Sequence, residues 1–211
     1  NSRYYASVLD MKNYFSHSFR SLELISSHFW LDLISTAKLM LLGHDNMNIR
    51  PGNDVLNKLL NSVEMDKILK IYEGTEYYIY LYFNYNVYKC IENYRDLKYY
   101  ENAKKIFFDN RTKISNHDKN YFYADLISIL LVGSEGRFIE MKKELFSILQ
   151  NCLEEKAYKL SDNDFMHPNF YRNCILCAEY IKEFDWADDF IEKYSGELNP
   201  EFRDKNKNYS S

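Results

Sequence analysis

The chain has 211 residues, of which 46% are hydrophobic, so it holds enough apolar material for a folded core. Its 6 glycines and 3 prolines are too few for the frequent turns that a β-sandwich or β-barrel needs. The 27 Lys and Arg residues are balanced by 31 Asp and Glu residues, so there is no basic field to attract nucleic acid. The composition therefore predicts a helix-rich protein that binds no nucleic acid.

The N-terminal part of the sequence predicts two helices and a connection. Apolar residues recur at helical spacing from Tyr4 to Phe19 and again from Ser21 to Leu42. Gly43 is expected to end the second helix, because glycine is common just after a helix. The following segment, 43–53, contains a Pro-Gly pair and predicts a loop.

The next segment, from Asn53 or Asp54 to Tyr72, predicts a capped helix that ends before Gly74. The run Thr75–Asn93 begins with β-prone residues, but its apolar pattern is too long for a lone strand and no partner strand is evident. We therefore expect a helix there. The remaining predicted helices are about Leu97–Lys113, Asp118–Val132, Arg137–Tyr158, Pro168–Phe184 and Asp185–Tyr194.

A pattern of aromatic, small or flexible, and bulky apolar residues recurs where the second helix of a predicted hairpin begins. The aromatic residue is expected to fill the space beside the turn, and the small residue lets the two helices approach. The bulky residue is expected to pack on the next hairpin. The three copies are Tyr100-x-x-Ala103-x-x-x-Phe107, Phe138-x-x-Met141-x-x-x-Leu145 and Phe184-x-x-Ala187-x-x-x-Ile191.

This pattern resembles the second-helix signature of the tetratricopeptide repeat family. Tyr94 and Leu97 stand at first-helix positions that the family fills with the same residues, and Gly136 stands at its turn position. The resemblance implies an all-α fold, a right-handed α-solenoid of antiparallel helix hairpins. We expect a single domain over residues 1–211, a fragment of a longer array, with hairpin-like units at about 21–72, 75–113, 118–158 and 168–198.

The resemblance implies a non-enzymatic scaffold or adaptor that binds a protein, a peptide or another part of its own longer chain. An alternative is a regulatory sensor array that controls an effector domain outside this fragment. In the tetratricopeptide family, first-helix residues line the binding groove. The matching positions here are found by counting back from the second-helix aromatic residues, on the assumption that the turns contain no insertion. The corresponding residues here are Tyr85, Tyr88, Glu92, Arg95, Tyr123, Asn169, Arg172 and Glu179.

Two other patterns suggest chemistry. Cys174-x-x-Cys177 has the spacing of half a zinc site, but no second Cys or His pair accompanies it, so we expect core thiols and neither metal nor cofactor. Arg111 and His117 are spaced as in a class of all-helical ribonucleases, which keeps an RNA-cleaving enzyme as a less favoured alternative.

The four cysteines are too sparse for a disulfide framework, and no apolar run reaches the roughly 18 residues of a membrane span. We therefore expect a cytoplasmic protein without a membrane span. The chain starts without Met, so a targeting segment could precede it.

Overall fold

The computed structural model of the protein describes residues 2–47, 55–93, 96–133, 138–161 and 163–202. These residues form α-helices and two short 3-10 helices, with no β-strand among them, which confirms the all-α class. None of the helices in this part of the chain has both the length and the apolar character that crossing a membrane requires. The α-helices are α1 (Ser2–Met47), α2 (Val55–Ser62), α3 (Met65–Tyr72), α4 (Tyr77–Glu92), α5 (Leu97–Asn110), α6 (Asn116–Gly133), α7 (Phe138–Glu154), α8 (Pro168–Ile181) and α9 (Phe184–Tyr194).

Two predicted boundaries in the N-terminal part are wrong. The segments 4–19 and 21–42 belong to one helix, α1, which continues past Gly43 to Met47. One interior glycine costs a helix only about 1 kcal/mol, which packing of the rest of α1 can offset. The helix expected up to Tyr72 is interrupted by a turn, in which the Met65 amide donates to the Val63 carbonyl at 2.9 Å. The predicted capping residues Asn53 and Asp54 lie outside the described residues.

Other predicted elements are confirmed. Gly74 has φ 87°, in the left-handed region that favours glycine, and it follows the end of α3. The ambiguous tyrosine-rich run is helical as α4, and its buried residues Phe83, Val87 and Cys90 recur at intervals of four and three, as on a helical face. Pro168 opens α8, where its missing N–H leaves no helical hydrogen bond unmade.

The chain divides into two compact units, unit 1 (Asn1–Asn93) and unit 2 (Tyr94–Ser211). In unit 1, α1 packs on α4 and α2, and α3 packs on α4. Lys38 Nζ donates to Asn84 Oδ1 at 3.3 Å, while Glu23 lies beside Tyr77, so α1 and α4 run parallel. The core of unit 1 contains Leu33, Ile34, Ala37, Leu60, Met65, Leu69, Tyr72, Leu81 and Tyr88.

In unit 2, each helix from α5 to α9 packs on the next one in sequence, including α5 and α6, which a 3-10 turn (Arg111–Lys113) joins. Tyr100 on α5 binds Glu144 on α7, with its hydroxyl donating to Oε1 at 2.6 Å. Arg111 and Glu155 pair just beyond the ends of the same two helices, at 3.2 Å. Because the earlier residue on the α5 side contacts the earlier residue on the α7 side and the later contacts the later, the two helices run parallel.

The same reasoning gives the directions of the last helices. Phe146 packs on Trp186 with ring centroids 4.8 Å apart, and Tyr158 packs on Tyr194 at 6.0 Å, so α9 runs parallel to α7. The thiol of Cys177 on α8 donates to the Lys142 carbonyl near the start of α7, at 3.2 Å. Phe170 at the start of α8 stacks on Tyr158 beyond the end of α7, so α8 runs antiparallel to α7. The expected solenoid and its four hairpin units stay predictions.

The recurring pattern has different outcomes in α5 and α9. Tyr100, Ala103 and Phe107 are at most 2% exposed, as expected for residues at a close helix contact. Phe184 and Ile191, however, are 57% and 39% exposed, so the plug and packing roles predicted for them are wrong. The apolar face of α9 is instead formed by Trp186, Ala187, Phe190 and Tyr194.

Candidate functional site

The structure places two residues of the predicted groove in the cores. Tyr88 and Tyr123 are 1% and 0% exposed, and so neither lines a solvent-facing surface. Tyrosine permits this because its ring is apolar and its hydroxyl needs only one partner. The Tyr88 hydroxyl donates to Glu92 at 3.3 Å and the Tyr123 hydroxyl donates to Glu155 at 3.1 Å.

The other predicted groove residues lie in different surroundings. Tyr85 is half-buried against the core of unit 1, and Glu92 is exposed and also pairs with Lys89. Arg95 lies outside the described residues. On α8, the side chains of Asn169, Arg172 and Glu179 are exposed. None of these three residues lines the cleft of unit 2 that is described below, and the groove stays a prediction.

The two residues of the ribonuclease alternative have separate partners. Arg111 pairs with Glu155 and lies over the ring of Phe108, 5.7 Å from its centroid. His117 is exposed in the first turn of α6, near Asp118 and edge-on to the ring of Tyr121. Arg111 therefore forms an ion pair that joins two helices.

Glu155 joins three elements at the end of α7. Its Oε1 accepts from Arg111 and from Tyr123, and Lys119 Nζ lies 2.7 Å from its Oε2. Burial raises the pKa of the Tyr123 hydroxyl, and the neighbouring Glu155 carboxylate raises it further. A neutral tyrosine can only donate to this carboxylate, so the arrangement favours a fixed geometry over proton transfer.

The cysteines are buried, as the sequence predicts. Cys174 is 0% and Cys177 is 3% exposed, and burial raises the pKa of the Cys177 thiol to about 11. Burial also raises the pKa of Cys174 and of Cys152. Among the described residues, no group of three or more His, Cys, Asp or Glu side chains is arranged to hold a metal ion.

Unit 2 contains a cleft of about 590 Å³, the α7–α9 cleft. Its size falls in the range of about 300–1,000 Å³ that is typical of ligand-binding pockets. The first wall is the end of α7 and the turn after it, and the second is α9 with the following 3-10 turn. The lining residues are Gln150, Leu153, Glu154, Lys156 and Tyr158 on the first wall, and Trp186, Asp189, Phe190, Lys193, Tyr194 and Glu197 on the second.

Aromatic rings form the floor of the α7–α9 cleft. Trp186 stacks on Phe190 with centroids 5.2 Å apart, and Phe190 packs on Tyr194 at 4.9 Å. Tyr158 packs edge-on against Tyr194 and stacks on Phe170, both at 6.0 Å. Each ring is held by another ring, so the floor is preorganised for contact with an apolar group.

Charges of both signs surround this aromatic floor. Lys193 lies over the Tyr194 ring, 5.1 Å from its centroid, and Lys159 pairs with Glu197 at 3.1 Å. Burial raises the pKa of Tyr158, and Glu197 raises it further, so the hydroxyl stays neutral near pH 7. Asp189 adds an exposed carboxylate at the rim. An apolar floor with a polar rim is the usual anatomy of a protein-recognition surface.

The sequence did not predict this cleft, although it contains one signal of it. Trp186, Phe190 and Tyr194 are spaced by four residues and therefore share one face of α9. The wall from α7 could not be inferred in the same way, because it adjoins α9 only through tertiary packing.

Comparison of the chain with protein-family models, with curated proteins and with solved structures finds no significant match. The function is therefore argued from the geometry of the described residues.

Proposed function

We propose that the protein is a non-enzymatic helical-repeat scaffold that binds a protein or peptide segment in the α7–α9 cleft. The resemblance of the α5 signature to tetratricopeptide repeats supports the class of protein. The observation that carries the proposal is the stacked Trp186 and Phe190 floor beneath a rim of both charge signs.

The chemistry of the cleft suggests what the bound segment contains. Trp, Tyr and Phe are enriched at the centres of protein interfaces, where they contact apolar anchors of the partner. Asp189 favours a basic side chain beside that anchor, and Lys193 favours an acidic one. We therefore propose a segment with one large apolar anchor flanked by charged residues.

Peptide selection followed by a matched pair of variants tests this proposal. Random displayed peptides would be selected on the purified protein, and their affinity measured through the fluorescence of Trp186. The chain has 2 tryptophans, so the Trp30→Phe background leaves Trp186 as the only reporter. We expect peptide binding to change its emission.

Asp189→Lys should weaken binding of the selected basic peptides by at least about tenfold, which corresponds to roughly 1.4 kcal/mol. Asp188→Lys is the matched control, since Asp188 is an exposed neighbour on α9 that does not line the cleft. Equal affinities of the two variants, or no enriched peptide, would contradict the proposal.

A further inference from the structure

The two halves of α1 differ in which face is apolar. Around Leu33, Ile34 and Ala37, the face directed at the unit 1 core is apolar and buried. The same face continues toward the N-terminus through Ser16, Arg20 and Glu23, which line a depression together with Phe19 and the residues that begin α4. The N-terminal half therefore presents mainly polar residues toward its own unit, with Phe19 beside them.

Six exposed apolar residues of this half form a stripe that is rotated from the core-directed face and overlaps its edge at Phe15 and Phe19, here named the α1 stripe. At about 100° per residue they fall within an arc of about 120° around the helix, and no charged residue lies within the arc. Each side chain is between 51% and 69% exposed. The α1 stripe consists of Met11, Phe15, Phe19, Leu22, Ile25 and Phe29.

The exposed area of the α1 stripe matches what a dimer needs. A fully exposed aromatic side chain presents roughly 150–250 Å², so six large side chains that are more than half exposed offer on the order of 700 Å². A stable interface buries about 800 Å² on each partner, whereas exposed apolar patches of monomers are usually about 300–600 Å².

The order of residues in the stripe favours a second copy as the partner. The intervals between successive stripe residues are nearly the same whether they are counted from Met11 or from Phe29, and the midpoint lies near Arg20. An antiparallel pair of α1 helices would place each aromatic residue opposite an aliphatic one. The opposed pairs would be Met11 with Phe29, Phe15 with Ile25 and Phe19 with Leu22. A parallel pair would place each stripe residue opposite its own copy, aromatic against aromatic and aliphatic against aliphatic. This fills the space between the helices less evenly.

A lipid surface fits the helix less well. Helices that lie on membranes usually carry Lys and Arg along the polar face, which anionic lipids attract. From residue 10 to residue 29, α1 has the cations Lys12 and Arg20 balanced by the anions Asp10 and Glu23. We infer that the protein forms a homodimer in which two copies of α1 pair antiparallel through the α1 stripe, about a two-fold axis near Arg20.

Mass measurements on a matched pair of variants test the dimer. Ile25 and Leu39 are both 65% exposed on α1, but only Ile25 belongs to the stripe. Light scattering or sedimentation equilibrium should give a two-chain mass for the wild type and for Leu39→Glu. Ile25→Glu should dissociate at least about tenfold more readily, with an unchanged circular dichroism spectrum. A wild type that is a single chain at all concentrations, or equal behaviour of the two variants, would overturn the inference.

Cross-linking tests the orientation. The cysteines Cys90, Cys152, Cys174 and Cys177 are buried, so an added surface thiol reacts selectively. Leu22→Cys should cross-link to its copy through a short bis-maleimide, because its two copies lie about 5 Å apart along the axis. Met11→Cys should not, because its copies are about 28 Å apart. Cross-linking of both variants would show a parallel pair, and a single-chain protein that binds phosphatidylcholine vesicles would assign the stripe to lipid. Either result would overturn the inference.

Discussion

Units 1 and 2 use the same residue types in different ways. In unit 2, some tyrosine side chains are interior and their hydroxyls donate to carboxylates, as for Tyr100 with Glu144 and Tyr123 with Glu155. In unit 1, half of α1 presents Phe15, Phe19 and other apolar side chains to solvent. The comparison shows that an aromatic-rich chain can bury aromatic side chains in one unit while its other unit retains exposed apolar area.

The largest expected effect is in the interior of unit 2, at Ala103. Ala103→Asp puts a carboxylate at a position that is 0% exposed. Removal of a charge from water without a partner costs several kcal/mol, so we expect the free energy of unfolding to fall by about 3–5 kcal/mol. Urea denaturation measures this loss.

Ala124→Asp is the control for Ala103→Asp, because Ala124 is an exposed alanine on α6. It should cost only about 0.5 kcal/mol, the helix-propensity difference between the two residues. If the two variants were equally stable, the close helix contact at Ala103 would not exist.

The second prediction compares the two faces of α1. Ile34 is 0% exposed in the core of unit 1, whereas Ile25 is 65% exposed on the α1 stripe. Ile34→Ala should lower the free energy of unfolding by about 3 kcal/mol, through lost burial and the cavity that remains. Ile25→Ala should cost far less at protein concentrations where the chain is monomeric. Equal losses in thermal denaturation would mean that the stripe is packed within its own unit.

Helical periodicity predicted most elements, including α4 despite its tyrosine-rich start, because the buried positions of each helix repeat at a helical interval. Periodicity also identifies which residues share a face, but not what covers that face. Phe184 and Ile191 fit the recurring pattern, yet Trp186 and Phe190 of the same helix take the buried side. The larger apolar area of the second pair decides which face of α9 packs.

The groove prediction required knowing which tyrosine side chains are exposed, and the sequence alone does not show this. A tyrosine such as Tyr123 can lie on a solvent-exposed face or in a core. Burial of Tyr123 depends on Glu155, which is distant in sequence and accepts a hydrogen bond from its hydroxyl. The α7–α9 cleft also depends on residues that are far apart in sequence, such as Tyr158 and Tyr194. Such pairs are brought together by tertiary packing, which local periodicity does not encode.

The third prediction concerns the carboxylate that joins three elements of unit 2. Glu155→Gln removes the negative charge that Arg111 and Lys119 share. The Lys119 side chain, which is only 14% exposed, then loses this anionic partner. We expect the free energy of unfolding to fall by about 1–3 kcal/mol. Glu154→Gln is the matched control, since the neighbouring Glu154 is exposed. Equal stability of the two variants in urea would show that the ion pairs contribute nothing.

The smallest effect is expected at alkaline pH, from the buried thiols of unit 2. The pKa of Cys177 is raised to about 11, whereas an unfolded cysteine ionises near 8.5. Between these values the unfolded chain releases a proton that the folded chain retains, so stability is full below about pH 8.5 and falls as pH rises. Each such thiol should lower the free energy of unfolding by about 1.4 kcal/mol per pH unit. Cys177→Ala removes one of them, so its urea midpoint should fall less steeply than that of the wild type between about pH 9 and pH 10.5. Identical slopes for the two proteins would mean that the Cys177 thiol ionises equally readily in the folded chain, and hence that it is not sealed from water.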